Sequence, residues 1–321
     1  MLSNNSKVVD VFCGGGGLSL GFENAGFKIS AAFDNWDPAI GFYEKNFDHP
    51  IVKCDLGNVH AAIPLIKKFQ PNLIIGGPPC QDFSSAGKRN ENGGRADLTM
   101  SFAEVVVGVK PFYFVMENVA RALGSSAFSC AEQIFREAGY GLTIRVLDAS
   151  LCGVPQIRKR LFVIGELGGR DGALDSFIDR DMGTKRMTVR DYLGKKISVE
   201  NYYRHPRSYH RRAIFSIDEP SPTVRGVNRP IAGGYPGHPG DRAEITDNVR
   251  PLTTRERSLI QTFPETFDLT GSKTEIEQII GNAVPVKLAE FVARTLSKYL
   301  IEGKDDRYIH KNGTVAHNAF C

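Results

Sequence analysis

The sequence predicts an α/β protein: a doubly wound, mostly parallel sheet followed by a second, smaller and irregular module. Three observations carry that prediction. Short apolar, β-branched runs alternate with helix-length amphipathic segments through the first half. A glycine-rich turn directly follows the first of those runs. From about residue 167 to 248 the periodicity fades while Gly, Pro, Arg and Tyr rise. With 321 residues, 41% of them hydrophobic, the chain can bury a substantial core without disulfides or a structural metal.

The elements follow in order. Residues 7–12 (KVVDVF) read as a buried strand, and the run Gly14 to Gly17 turns the chain into a helix from Leu18. Residues 28–33 are a second strand, 38–46 a helix, 51–53 a short third strand and 59–69 a helix. Residues 72–76 (NLIIG) form a fourth strand, cut off by Gly77-Pro78-Pro79. A helix at 102–109 precedes a fifth strand at 112–116 (FYFVM). A helix at 128–138 and strands at 142–147 and 161–164 complete this half. Helical periodicity returns at 253–262 and 285–300, and the tail after Glu302 reads as polar and loose. Three segments are marked off: 1–166, 167–275 and 276–321.

Charge separates the segments. The whole chain carries +4, but between Arg180 and Arg257 there are 16 Lys and Arg against 9 Asp and Glu, a local +7. That excess fits a surface facing a polyanion, or a solvated loop region enriched in arginine. The mild total excludes a histone-like basic protein. No apolar run reaches the roughly 18 residues a membrane span needs. The first residues enter a strand without the features of a signal peptide. The six cysteines include no C-x-x-C pair, which argues against a disulfide framework or zinc ribbon. The two histidines His205 and His210 have no partner at metal-ligand spacing. A cytoplasmic protein without a metal centre is expected.

In a sheet of this kind ligands bind beyond the carboxyl ends of the strands, so chemistry is sought there. The glycine turn permits close approach of a ligand to the backbone. It fails the dinucleotide spacing G-x-G-x-x-G in both registers, because the third position is Ser19 or Leu20. Asp34 lies about 20 residues on, where a ribose hydroxyl is held. Trp36 is placed to stack on a purine, and Asp55 to accept from an adenine amino group. These features suit an adenosine ligand without a pyrophosphate. A tight turn with no ligand is the plainer alternative.

The loop GGPPCQDFS sets Cys80 just past a strand end, in a backbone restricted by two prolines. Its thiol is a candidate nucleophile, whereas Cys54 and Cys130 read as small buried hydrophobes and Cys13 as packing. Glu117 follows the most apolar strand, where desolvation would raise its pKa and suit a proton donor; a helix cap is the alternative. Arg158 and Arg160 share parity ahead of the strand LFVIG, and guanidinium groups there suit phosphate or carbonyl oxygens.

These motifs, taken in order, resemble the DNA (cytosine-5)-methyltransferase family. The match runs from Asp10 to about Leu300. It includes the turn Asp10-x-Phe12-x-Gly14-x-Gly16-Gly17, the GGPPCQxFS loop, Glu117-Asn118-Val119 and Gly153-Val-Pro-Gln-x-Arg-x-Arg160. After the irregular region come Arg250-Pro-Leu-Thr-Thr-Arg255-Glu-Arg257, Gln261-Thr-Phe-Pro264 and Ile280-Gly-Asn-Ala-Val-Pro285.

The resemblance implies an S-adenosylmethionine-dependent methyltransferase fold with a smaller target-recognition domain, and double-stranded DNA in the cleft between them. It also implies that 276–321 returns to the first segment. S-adenosylhomocysteine is the implied product. Cys80 would attack C6 of a flipped-out cytosine, Glu117 would engage N3, and Arg160 would hold O2 with Arg158 in support. Phe12, Gly14, Gly16, Asp34, Trp36, Asp55, Leu56, Pro78, Leu98, Asn282 and Val284 would surround the cofactor. Asn35 competes with Asp34 for the ribose. The stretch Gly93-Gly-Arg-Ala-Asp97 departs from the family pattern, which weakens any role for Arg95. Ser84, Arg204, Arg207, Arg211, Arg212, Thr223 and Arg225 would contact DNA. Protection of host DNA beside a separately acting restriction endonuclease is the implied role, and an orphan methylase is equally compatible. Three rivals are weaker. The RNA-modifying branch carries a Cys-Phe-Thr element absent here, a dead paralogue would lack Cys80 or Glu117, and an oxidoreductase needs the failed glycine spacing.

Overall fold

The computed structural model describes residues 7–79 and 98–312. The chain begins with β1 (Lys7–Val11), α1 (Gly17–Asn24), β2 (Lys28–Asp34), α2 (Asp37–Asn46), β3 (Ile51–Lys53), α3 (Val59–Lys67) and β4 (Leu73–Gly76). It continues through α4 (Leu98–Val109), β5 (Tyr113–Val119), α5 (Ser126–Glu137), β6 (Tyr140–Asp148), β7 (Gln156–Ile157) and β8 (Lys159–Leu167). The irregular region holds α6 (Asp175–Asp181), α7 (Val189–Leu193), β9 (Asn201–Tyr203), β10 (Ile214–Ser216), β11 (Ser221–Pro222) and β12 (Arg250–Pro251). Three helices close the fold: α8 (Thr254–Ile260), α9 (Lys273–Asn282) and α10 (Val286–Asn312).

Seven strands form one sheet in the order β3-β2-β1-β4-β5-β8-β6. All run parallel except β8, which is antiparallel to both neighbours. The order reverses between β1 and β4, so their carboxyl ends flank the switch-point crevice. The reversal of β8 has a consequence for the site, because its first residues lie at the same edge as the last residues of β5. Val119 pairs with Arg160 across that junction.

Each face of the sheet has its own core. One is built from Val8, Ile75, Val115, Phe162 and the inner side of α10. The other packs Val9, Ile74, Phe114 and Val163 against Phe102 of α4 and Phe135 of α5. These strands carry apolar residues on both faces, as parallel strands buried on both sides must. A third core joins Tyr202 and Phe215 of the irregular region to Ile276 and Ile280 of α9 and to Phe42 of α2. The small β10-β9-β12 sheet therefore sits on the returning C-terminal segment.

Three expectations need correction. Residues 303–312 continue α10 as helix, where a loose tail was expected. The helix α9 lies at 273–282, where no helix was expected. Its apolar face is short because only its inner turn meets the core. Cys130 is exposed on α5, while Cys13, Cys54 and Cys152 are buried. Among the described residues no helix is long and apolar enough to cross a membrane.

Candidate active site

The glycine turn after β1 is shaped by left-handed backbone at Phe12, Gly14 and Gly16, with φ of 58°, 51° and 74°. Gly16 N donates to Cys13 O at 2.8 Å and closes the turn. A side chain on Gly17 would run into the carbonyl oxygen of Val284, so the start of α1 and the Asn282–Val284 segment meet through bare backbone. Gly14 faces the other way, and a Cβ there would meet nothing within 4 Å.

Asp34, at the end of β2, braces this turn. Its Oδ2 accepts from Gly14 N at 2.8 Å, and its Oδ1 from Asn35 N at 2.8 Å and Trp36 N at 3.0 Å. Asp34 thus shapes the loop, a role not read from the sequence; any ribose contact comes in addition. Trp36 is half-buried, and Asn35 is exposed. Asp55 is exposed and accepts from Gly57 N at 2.9 Å, beside the buried Leu56. A Cβ on Gly57 would touch Leu98 at 3.4 Å, which brings the start of α4 to the same crevice. Asn282 is exposed and Val284 is buried beyond the turn. The donor set fits an adenosyl sulfonium: an open glycine concavity, an indole, and carboxylates at two strand ends, with no cationic cradle for a pyrophosphate among the described residues.

Beneath the turn lies a polar chain that sequence reasoning missed. Ser19 Oγ donates to Asp10 Oδ2 at 2.7 Å, and the Tyr43 hydroxyl donates to Ser19 Oγ at 2.6 Å. Tyr43 also meets His49 Nε2 at 2.5 Å, and His49 Nδ1 lies 3.0 Å from Glu23. Asp10 Oδ1 is buried without a hydrogen-bond partner. Burial pushes the Asp10 carboxyl up to about 7, and the nearby Asp34 pushes the same way against the Ser19 hydrogen bond.

At the opposite side of the crevice Glu117, the fifth residue of β5, pairs with Arg160 of β8: Oε1 lies 2.8 Å from Nε. Burial raises the Glu117 carboxyl above its ordinary value, opposed by the Arg160 and Arg158 guanidiniums. A Cβ on Gly77 would lie 3.2 Å from Glu117 Oε2. Asn118 Nδ2 donates to the carbonyl of the buried Pro78 at 3.3 Å. The strand pair therefore holds the first residues of the Gly77-Pro78-Pro79 loop. Cys80, Ser84 and Arg95 lie outside the described residues.

Arg158 is fully buried, and it is a tie rather than a surface cation. It donates to the carbonyls of Val224 at 3.0 Å, Gly281 at 3.0 Å and Ala283 at 3.1 Å. Gln156 reinforces it, accepting from Val224 N at 2.8 Å and donating to Gln261 at 2.7 Å. Both glutamines lie in motifs quoted above, but nothing in the sequence pairs them.

Beside this tie runs a groove lined by Arg204, Arg207, Arg211, Arg212, Arg225 and Thr223. Arg207 and Arg211 are exposed. Arg212 forks onto Glu219 at 2.8 and 3.0 Å and covers the Phe215 ring. Arg204 donates to Thr223 O at 2.9 Å, and Thr223 Oγ1 to Ile157 O at 2.9 Å.

A doubly wound sheet with this strand order and an open glycine turn at its switch point defines the class, an S-adenosylmethionine-dependent methyltransferase fold. The model of the C-5 cytosine-specific DNA methylase family matches residues 6–298. The Type II methyltransferase M.HgiDI of Herpetosiphon aurantiacus is 55% identical over 92% of this chain and 95% of its own length. The Type II methyltransferase M.HindV of Haemophilus influenzae is 56% identical over 91% and 97%. The solved structure of S. pombe Dnmt2 methyltransferase aligns with a TM-score of 0.69 at 19% identity, covering 92% of this chain and 99% of that one. The chain belongs to the C-5 cytosine-specific DNA methylase family and is a DNA (cytosine-5-)-methyltransferase.

Proposed function

We propose that the protein methylates C5 of one cytosine within a short sequence of double-stranded DNA, as the modification half of a Type II restriction-modification system. The pairing of the buried Glu117 with the half-buried Arg160 beside the glycine crevice is the observation that carries the chemistry. The target base swings out of the duplex, because C5 and C6 are out of reach while it is stacked. Cys80 then adds to C6 as thiolate, and Glu117, its carboxyl raised by burial against the pull of Arg160 and Arg158, hydrogen-bonds or protonates N3. Charge drawn toward N3 makes C5 nucleophilic. Arg160 holds the cytosine O2 and orients Glu117, and Arg158 fixes the backbone behind them. S-adenosylmethionine, when bound, supplies the electrophilic methyl group and leaves as S-adenosylhomocysteine. Phe12, Gly14, Gly16, Asp34, Trp36, Asp55, Leu56, Pro78, Leu98, Asn282 and Val284 would hold it. Transfer of the C5 proton to water leaves its electron pair to re-form the C5–C6 double bond, which expels Cys80 from C6 as thiolate.

Residues 1–166 form the catalytic domain in this reading, 167–275 the target-recognition domain, and 276–321 return to the first. Ser84 and the arginine groove contact DNA. A separate endonuclease that cuts the same sequence is the expected companion.

Bisulfite sequencing of plasmid DNA from cells expressing the chain, beside Cys80→Ala, tests the proposal. Protected cytosines at one recurring short sequence, absent with Cys80→Ala, are expected. Substantial protection by Cys80→Ala would overturn the covalent mechanism. An unmodified plasmid with folded wild-type protein would overturn the DNA reading.

A further inference from the structure

The loop after Val224 is bolted to the catalytic half on one side, and on its otherwise free side Arg225 donates to the carbonyl of His205. Its backbone is held at Val224 by Gln156 and Arg158. Arg257 donates to Arg225 O and pairs with the buried Glu277. Asn228 Nδ2 donates to Leu252 O at 2.7 Å and to Glu277 Oε1 at 3.3 Å. Gly226 lies so close to Gly281 that a Cβ on Gly281 would overlap its backbone nitrogen. The free side presents Val227, 62% exposed, and the exposed Arg229.

This free side borders a narrow pocket whose cationic lining is Arg204, Arg225, Arg229 and Arg257, with His205 among them and its imidazole pulled below its ordinary value by burial and by Arg229 and Arg225. No carboxylate lines it among the described residues. The cations press on one another. Burial, then Arg207 and Arg229, pull the Arg225 guanidinium below its ordinary value, and Arg204 is pulled down to about 10 by burial, Arg225, Arg207 and Arg257. Like charges gathered on a rigid frame are unfavourable in the free protein and favourable once an anion sits among them.

We infer that this pocket is a seat for one backbone phosphate of the bound duplex, gripped by Arg225 and Arg229 with Asn228 alongside. The inference rests on the DNA substrate proposed above. Planar guanidiniums fork onto phosphate oxygens, and phosphate contacts set register without reading sequence. The loop shares its anchor, the Gly281–Ala283 carbonyls on Arg158, with the segment beyond the glycine turn. A phosphate seated there fixes the duplex at one distance from the catalytic edge.

The test uses Arg229→Gln and Arg229→Lys in the full chain. Binding to a cognate and a scrambled duplex is titrated against salt, with the methylated sequence read in parallel. For Arg229→Gln the expected result is similar weakening on both duplexes, with the slope of log K against log salt shallower by about 0.9. The methylated sequence stays the same, and Arg229→Lys restores most of the slope. Weakening confined to the cognate duplex would make Arg229 a base reader and overturn the seat. An unchanged slope would overturn it as well. A wild-type chain that binds no duplex at any salt would instead overturn the DNA reading itself.

Discussion

Asp10 sits at the end of a chain of polar side chains, with one oxygen bonded to Ser19 and the other sealed without a partner. A charge there is unfavourable, so the folded protein keeps the proton up to about pH 7, against an ordinary value of 3.8. The sign follows. Below about pH 4 the carboxyl is neutral in both states. Between there and about 7 the unfolded chain releases the proton while the folded chain retains it, so stability falls as pH rises through that window. Asp10→Asn should flatten this decline. The check is the melting temperature of both proteins from pH 4.5 to 8, and equal slopes would show that Asp10 is ionised in the fold. At this scale the sequence pointed to Glu117 and Arg160, which the structure brings to 2.8 Å of each other on neighbouring strands. It concealed Arg158, whose acceptors are backbone carbonyls 66 to 125 residues away. A carbonyl belongs to every residue and leaves no signature.

The strands of the large sheet were legible because both of their faces are apolar, and the helices between them because one face is. Their bounds moved by a few residues, as at β5, where the strand runs on through Glu117 to Val119. The three-residue β9 and β10 are too short to show a period. The helix α9 was missed although it carries the partner of a buried cation, and that partnership makes a prediction. Glu277 is 3% exposed and Arg257 5%, so each charge depends on the other. Glu277→Gln leaves the guanidinium buried without its counter-charge and should cost about 3–5 kcal/mol. Replacing both partners by leucine removes both charges, so the double variant should be more stable than Glu277→Gln alone. Urea unfolding of Arg257→Leu, Glu277→Leu and the double variant measures the coupling. Additive losses would show that the pair contributes as two independent side chains.

The order of the chain and the order of the core differ, and this binds the molecule into one folding unit. The first strand packs on the last helix: Val8 shares a core with Leu288, Val292, Leu296, Tyr299 and Leu300. Tyr299 also donates to Glu166 of β8 at 2.5 Å, as Tyr113 of β5 does at 2.8 Å, so α10 is pinned to the sheet near its middle. The intervening region must leave this core and return to it, and α9 shares a core with that region and with Val286 of α10. Burying a large apolar side chain is worth about 1.5–3 kcal/mol. Five of them from α10 amount to on the order of 10 kcal/mol, comparable with the roughly 5–15 kcal/mol net stability of a domain. A chain ending at Gly271 keeps every strand of the large sheet but loses α9 and α10. It should therefore fail to fold, with an uncovered apolar face over β1, β4 and α1. Dye binding to exposed apolar surface and the loss of a cooperative thermal transition are the expected readouts. A sharp transition from the shortened chain would mean that the sheet closes without its C-terminal helix. The first segment would then be an autonomous domain to which the last helix is only appended.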